Sequence, residues 1–112
     1  MELQAGNIVW ASVPDPSGKN SKVRPLVVLA PPQADHFTAV GVTTSVESFD
    51  DQCCVRLPWH RDGHPRTKLR SECIARCDWL VSLTVDKISR IGGSVPQHVL
   101  RAIFARLPLP FT

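Results

Sequence analysis

The stretch KVRPLVVLA, residues 22–30, decides how the chain is interpreted. Its last five residues are apolar, which is typical of a buried strand. Arg24 and Pro25 stand directly in front of them. Proline lacks a backbone donor, so Pro25 fits the start of a strand, and it restricts Arg24 to extended conformations. The pattern predicts an arginine held at the rim of a sheet, although it also fits an arginine that merely covers a strand end.

The composition is that of an ordinary globular protein. The 112 residues suffice for a single domain, residues 1–112, with 43% hydrophobic and 21% charged residues. A net charge of +3 is compatible with a polyanion or with an acidic protein as partner. No apolar run is long enough to span a bilayer and no secretory signal pattern is present, so we expect a cytoplasmic protein with no membrane partner.

Turn residues divide most of the chain into short β-rich runs. Ten prolines accompany them, which favours strands and turns over a helical bundle. The sequence predicts five strands, at residues 7–13, 25–30, 37–45, 53–59 and within 69–83, with Gly41 as a candidate bulge. Residues 84–93 predict a short helical turn that begins at Thr84 and ends at Gly92 and Gly93.

The clearest helical pattern lies near the end of the chain. Ser94 is a candidate cap and Pro96 is tolerated in a first turn. Apolar residues recur at helical spacing, with arginines 101 and 106 placed away from them: Val99, Leu100, Ile103, Phe104 and Leu107. This pattern predicts a helix followed by the tail PLPFT, residues 108–112. Strands followed by a helix predict a small, strongly bent barrel that the helix caps.

Six motifs, taken in order, resemble the MazF/PemK/Kid family of toxin ribonucleases. They are GNIVW (6–10), KVRPLVVLA (22–30), VGVTTS (40–45), TKLRSECIA (67–75), LTVDKISR (83–90) and IGGSVPQHVLRAIFARL (91–107). The resemblance covers nearly the whole chain. It implies a mainly β fold, a small SH3-like barrel of about five to seven strands with a C-terminal helix, which the CcdB topoisomerase poisons share.

The resemblance also implies an activity and partners. Family members are homodimers that cleave single-stranded RNA, often mRNA, without a metal or other cofactor. An antitoxin inactivates them by placing its acidic tail in the RNA groove. The family's catalytic arginine maps to Arg24 and its catalytic threonine to Thr44, with Thr43 as the alternative. Many members carry a loop glutamate where this chain has Lys19, and Asp15 is the nearest acid.

The chemistry explains these residue types. RNA carries its own nucleophile, the 2′-hydroxyl. Arg24 offers charge-assisted hydrogen bonds to two phosphate oxygens, and Thr44 offers a hydroxyl to the phosphate or to the nucleophile. We expect 2′,3′-cyclic phosphate and 5′-hydroxyl ends, and the general base stays open. The pair Thr43 and Thr44 is also typical of a strand end with no catalytic role.

A second cationic segment, residues 60–70, is named here the basic loop. It predicts an anion surface, and equally fits a solvated loop of a basic protein. Trp59 beside it is a candidate for base stacking, and His60 or His64 for acid–base work. The full set of candidate substrate-binding residues is Lys19, Lys22, Pro25, Thr43, Ser45, Trp59, Arg61, His64, Arg66, Lys68 and Arg70.

The four cysteines permit two interpretations. Cys73 and Cys77, with Cys53 and Cys54 or with the loop histidines, form one candidate zinc set. Their spacing is not that of a usual C-x2-C pair, and residues four apart on a strand do not easily share one ion. We therefore expect reduced, small buried hydrophobes and no metal.

Two other functions remain open from the sequence. The absent loop glutamate favours a non-catalytic RNA- or protein-binding module of the same fold. The aromatic C-terminal end, PLPFT, fits a CcdB-like topoisomerase poison. Arg24-Pro25 together with Thr44-Ser45 fits the ribonuclease better.

Overall fold

A computed structural model describes residues 2–108, so of the predicted tail only Pro108 falls within it. The chain forms six strands and one α-helix. They are β1 (Asn7–Val13), β2 (Lys22–Val28), β3 (His36–Thr43), β4 (Cys54–Arg56), β5 (Ile74–Thr84), β6 (Ile88–Ser94) and α1 (Gln97–Ala105). Short 3-10 turns occupy Val46–Ser48 and Val85–Lys87. No helix within the described residues has the length and apolar character needed to cross a bilayer.

The strands form one antiparallel sheet in the order β4-β5-β3-β2-β1-β6. The molecule has similar extents in all three directions, 35 × 33 × 31 Å. Its two edge strands, β4 and β6, do not pair with each other in the described part of the chain. The mainly β fold with a C-terminal helix is thus confirmed, but the sheet stays open where the sequence predicted a barrel.

Alternate residues of the central strands bury on opposite faces of the sheet, as the two-residue period of a strand requires. Ile8, Val27 and Val40 belong to a helix-side core that α1 covers. Their neighbours Val9 and Leu26 belong to a second core on the other face. Because both faces of the sheet are covered, the sequences of these strands are continuous apolar runs. This explains the apolar run LVVLA, residues 26–30.

The predicted bulge at Gly41 is confirmed. The pairing of β3 with β5 shifts between Val40, opposite Leu80, and Gly41, opposite Arg76. A Cβ at Gly41 would lie 2.1 Å from Cε3 of Trp79, so only glycine leaves room for the indole. The irregularity transfers β5 between faces, because Cys77 packs in the helix-side core and Trp79 in the second core.

The C-terminal helix follows its predicted stripe with two differences. Val99, Leu100 and Ile103 are buried against the helix-side core. Phe104 is 40% exposed rather than buried. Arg106 does not point away, because its Nε donates to the carbonyl oxygen of Asp51 at 2.8 Å.

Other boundaries differ from the predictions. The interpretation of residues 84–93 as a helical turn was wrong beyond Lys87, because Ile88–Ser94 pairs with β1 as a sixth strand. Strand β2 begins at Lys22, so Pro25 lies inside it, opposite Trp10. Pairing with β3 starts only at Leu26, so at Pro25 the strand has one neighbour and the missing donor is tolerated. Strands β4 and β5 are shorter than predicted, because residues 57–73 form a loop.

Candidate functional site

A cavity of about 340 Å³, named here the central cavity, opens where β1, β2, β6 and the end of β3 meet the basic loop. It collects residues that are far apart in the sequence. Its lining is Trp10, Lys22, Val23, Arg24, Pro25, Val42, Thr43, Thr44, Ser45, Lys68, Leu69, Arg70, Ser71, Cys73 and Arg90. Arg24 and Thr44 therefore face one space, together with Lys22, Lys68 and Arg70.

Arg24 is held in place by backbone carbonyl groups. Its Nε donates to the carbonyl oxygen of Val13 at 3.2 Å, and Nη2 donates to that of Asn20 at 2.8 Å. The guanidinium carbon lies 5.7 Å from the centre of the Trp79 ring. Arginine has five N–H groups, so these two bonds leave three for a ligand. Both partners are neutral, so the positive charge of Arg24 is not offset by them.

The loop that carries Asn20, residues 14–21, is organised by Asp15. Oδ1 of Asp15 accepts hydrogen bonds from Ser17 N and Lys19 N, both at 3.0 Å, and from Ser17 Oγ at 2.6 Å. Oδ2 accepts one from Asn20 Nδ2 at 2.9 Å. The hydrogen bonds from the Ser17 and Asn20 side chains, followed by that from Lys19, hold the pKa of Asp15 well below its usual range. Asp15 is therefore a poor proton acceptor.

The end of β3 distinguishes the two candidate threonines. Thr43 is half-buried, and its Oγ1 accepts a hydrogen bond from Ser45 N at 3.1 Å. Thr44 is exposed, and its hydroxyl makes no hydrogen bond with residues 2–108. The Thr43 hydroxyl thus fixes the turn, whereas that of Thr44 is available to a ligand.

Hydrogen bonds fix the backbone of the basic loop, while its four basic side chains, Arg61, Arg66, Lys68 and Arg70, are exposed. Thr67 is buried, donates to the carbonyl oxygen of Pro58 at 2.7 Å and accepts from Leu69 N at 3.2 Å. Nδ1 of His64 accepts from the backbone N–H groups of Arg66 and Thr67. Lys68 takes a left-handed conformation with φ of 64°. With the loop held in this way, its last three residues, 68–70, line the central cavity.

Five predicted substrate-binding residues lie outside the lining of the central cavity: Lys19, Trp59, Arg61, His64 and Arg66. Lys19 is exposed on the loop before β2, and Trp59 is 44% exposed. Nε of Arg66 donates to Ser94 Oγ at 3.4 Å, on the side of the loop that faces β6. The Nδ1 of His64 is already occupied by the two loop N–H groups.

Trp10 and Arg90 are among the lining residues that the sequence interpretation did not name as binding residues. They lie opposite each other in the pairing of β1 with β6, and the Arg90 guanidinium carbon lies 4.4 Å from the centre of the Trp10 ring. This distance is typical of a cation–π pair. The signal was the alternation in ISRI, residues 88–91, which the helical interpretation of that segment concealed.

A second cavity of about 480 Å³, the side cavity, adjoins the first. It shares Lys22, Arg24, Thr43 and Ser45 with the central cavity. Its other walls include Trp79 and Arg76, which forms an ion pair of 2.8 Å with Asp78. Arg24 therefore lies between two adjoining spaces.

The central cavity is strongly cationic. Five basic side chains line it, and the lining contributed by residues 2–108 contains no carboxylate and no imidazole: Lys22, Arg24, Lys68, Arg70 and Arg90. Neither of the two ion pairs in the described part of the chain involves any of the five. The fold and site thus define a small, mainly β protein whose cavity suits an anionic ligand.

The cysteines behave as buried apolar groups. Cys54, Cys73 and Cys77 are buried, and all four are free thiols. Burial raises the pKa of Cys73 to about 11 and that of Cys77 to about 12, so both are protonated at neutral pH. Over the described ranges, no three His, Cys, Asp or Glu side chains are grouped so as to hold a metal ion.

The sequence matches one protein family, described as PemK-like, MazF-like toxins of type II toxin–antitoxin systems, over residues 4–111. The chain belongs to this family. No curated protein matches it. The resemblance in the motifs is therefore confirmed at the level of the family.

Solved structures share the fold. A MazE–MazF complex from Deinococcus radiodurans has a TM-score of 0.67 at 22% identity, covering 96% of this chain and 92% of that one. An endoribonuclease in complex with its cognate antitoxin, from a mycobacterial species, has a TM-score of 0.71 at 14% identity, covering 98% and 99%. Mycobacterium tuberculosis toxin MazF-mt6 has a TM-score of 0.61 at 17% identity, covering 88% and 90%.

Proposed function

We propose that the protein is an endoribonuclease toxin that binds single-stranded RNA in the central cavity and cleaves it without a metal. One observation carries the proposal. Arg24, with three N–H groups left for a ligand, lines the same cationic cavity as the Thr44 hydroxyl, which makes no hydrogen bond within residues 2–108. These groups suit the cleavage of an RNA phosphodiester, because RNA supplies the nucleophile through its own 2′-hydroxyl.

In the proposed reaction the 2′-hydroxyl attacks the adjacent phosphorus atom. Arg24 donates hydrogen bonds to the non-bridging oxygens and stabilises the charge that develops there. Thr44 orients the phosphate or the nucleophile. The P–O5′ bond breaks and the leaving O5′ takes a proton from solvent, so the products carry a 2′,3′-cyclic phosphate and a 5′-hydroxyl.

The proton of the 2′-hydroxyl has no obvious acceptor at neutral pH. The lining of the central cavity from residues 2–108 offers no carboxylate or imidazole, and Asp15 is engaged in the loop. We infer that solvent takes the proton, so the rate of cleavage rises with pH without a histidine-like inflection near pH 6–7.

The remaining lining residues bind the RNA chain. Lys22, Lys68 and Arg70 contact phosphates, which makes the affinity dependent on salt. The Arg90 guanidinium, stacked on Trp10, offers its other face to a base. Because Arg24 separates the two cavities, nucleotides on either side of the scissile phosphate occupy one cavity each.

The same cationic surface suits an acidic antitoxin segment that excludes RNA. Two structures similar to this one are complexes of a toxin of this fold with its antitoxin. We further propose a cytoplasmic homodimer, as the family resemblance implies, which sedimentation equilibrium of the purified chain tests directly.

One observation favours a second function, a non-catalytic RNA-binding module. Asp15, which lines the side cavity together with Arg24, is already engaged in four hydrogen bonds. The experiment is incubation with a long single-stranded RNA in EDTA, beside Arg24→Ala, with mapping of cut sites and end groups. Cuts with 5′-hydroxyl ends that Arg24→Ala lacks support the nuclease. An intact RNA that is nevertheless bound by the folded protein supports the binding module.

A further inference from the structure

We propose that Asp15 is a positioning residue for Arg24, acting through Asn20, and that it takes no proton from the substrate. The inference rests on the proposed function, in which Arg24 stabilises the phosphate. It assigns a role to the loop before β2, where the family resemblance leads one to expect a glutamate and this chain has Lys19.

The connection is a chain of two hydrogen bonds. Oδ2 of Asp15 accepts from Asn20 Nδ2 at 2.9 Å, and the carbonyl oxygen of Asn20 accepts from Arg24 Nη2 at 2.8 Å. Asn20 has φ of 57°, a left-handed conformation that asparagine adopts more readily than most residues other than glycine. In this conformation the Asn20 side chain reaches Asp15 while its carbonyl oxygen reaches Arg24.

The two oxygens of Asp15 have separate tasks. Oδ1 accepts the three hydrogen bonds from Ser17 and Lys19, which close the loop on itself. Oδ2 accepts the single bond from Asn20. The link to Arg24 can therefore be broken without opening the loop.

This arrangement suits a catalytic arginine. A carboxylate bonded directly to Arg24 would fix the side chain but would also offset its charge and occupy the face that binds phosphate. Here a carbonyl fixes the side chain, and the carboxylate stays one residue further away. Arg24 keeps its charge and its remaining N–H groups for the substrate.

The variants distinguish the role of Oδ2 of Asp15 from that of Oδ1. Asp15→Asn keeps Oδ1 but places an amide opposite the Asn20 amide, so two donors face each other. Adding Asn20→Asp restores one hydrogen bond with its direction reversed, and aspartate tolerates the left-handed backbone. Ser17→Ala is the matched control, because it removes one hydrogen bond to Oδ1 and leaves the link to Asn20 intact.

Single-turnover cleavage in EDTA gives the maximal rate and the half-saturating concentration separately. We expect Asp15→Asn to lower the maximal rate about 10-fold with little change in half-saturation, because a misplaced group loses rate rather than affinity. The double variant recovers most of the rate, and Ser17→Ala keeps it. Unchanged cleavage by Asp15→Asn, or a double variant no faster than it, overturns the inference.

A second readout does not need activity. The Nε–H signal of Arg24 in a ¹H–¹⁵N spectrum, assigned by its loss in Arg24→Lys, reports the bond to the Val13 carbonyl. We expect faster exchange with solvent in Asp15→Asn and recovery in the double variant, at equal thermal midpoints. If the wild-type chain cleaves no RNA, the proposed function fails, and this signal alone decides whether Asp15 positions Arg24.

Discussion

Gly93→Ala tests how the basic loop is attached to the sheet. A Cβ on Gly93 would lie 1.9 Å from the carbonyl oxygen of Arg66 and 2.7 Å from the carbonyl carbon of Thr67. Both atoms belong to the loop backbone, and the next residue, Ser94, donates its N–H to the same Arg66 oxygen at 3.0 Å. No side chain can move aside to relieve this contact.

The size of the effect follows from the distances. Cβ atoms essentially never approach another atom closer than 3.0 Å, so β6 and the loop must separate by about 1 Å. Overpacking of this kind costs about 1–3 kcal/mol. The stretched bond from Ser94 costs about 0.5–1.5 kcal/mol more. We expect the free energy of unfolding to fall by about 2–4 kcal/mol, a large share of the roughly 5–15 kcal/mol typical of a domain.

The assay is denaturant unfolding of Gly93→Ala beside Gly92→Ala. Gly92 is the matched control, because it is the preceding residue and its Cβ would meet nothing closer than Nε1 of Trp10 at 3.2 Å. We expect Gly92→Ala to cost well under half as much. RNA affinity should fall more in Gly93→Ala than in Gly92→Ala, since Lys68 and Arg70 move with the loop. Equal losses in both variants would refute the reasoning.

Three further predictions follow from the site and the core. Lys68→Ala should weaken RNA binding about uniformly across sequences and reduce the slope of log affinity against log salt by about one; an unchanged slope in anisotropy titrations contradicts a phosphate contact. Arg90→Ala should shift the fluorescence of Trp10 and weaken RNA binding by about 1–3 kcal/mol, and unchanged affinity removes the stacking role. Burial raises the thiol pKa values of Cys73 and Cys77 above 9.0, so the unfolded chain loses these protons first and the stability present below pH 9 should decline as the pH rises towards 11. Unfolding curves of the wild type and Cys73→Ala measure this, and the decline should be smaller in the variant.

Much of the fold could be predicted because local pattern and tertiary burial agree. The strand Asn7–Val13 has the predicted bounds, and glycine at position 41 marks the bulge. Strand β6 could not be predicted in the same way. Thr84 and Asp86 are typical of the start of a helix, and Gly92 and Gly93 are typical of its end. The pairing of residues 88–94 with β1 outweighs that local preference.

The candidate site likewise contains a part that the sequence pattern predicts and a part that depends on tertiary contacts. Arg24, near the start of β2, and the residues from Thr43 to Ser45, at and just beyond the end of β3, reach the central cavity because the sequence defines where these two strands lie. The basic loop has no regular hydrophobic period from which the direction of its side chains could be predicted. Which of its cations face the cavity depends on the hydrogen bonds that Thr67 donates to His64 Nδ1 and to the Pro58 carbonyl oxygen, and composition alone does not contain that information.

The change of face within β5 has a consequence for how the molecule unfolds. One continuous strand, Ile74–Thr84, supplies Ala75 and Cys77 to one core and Trp79 to the other. If β5 separates from either core, the other core also loses the side chains that β5 contributes to it. The two cores therefore melt as a single cooperative unit, and amide exchange in β3 and β5 should be governed by global opening rather than by separate local openings.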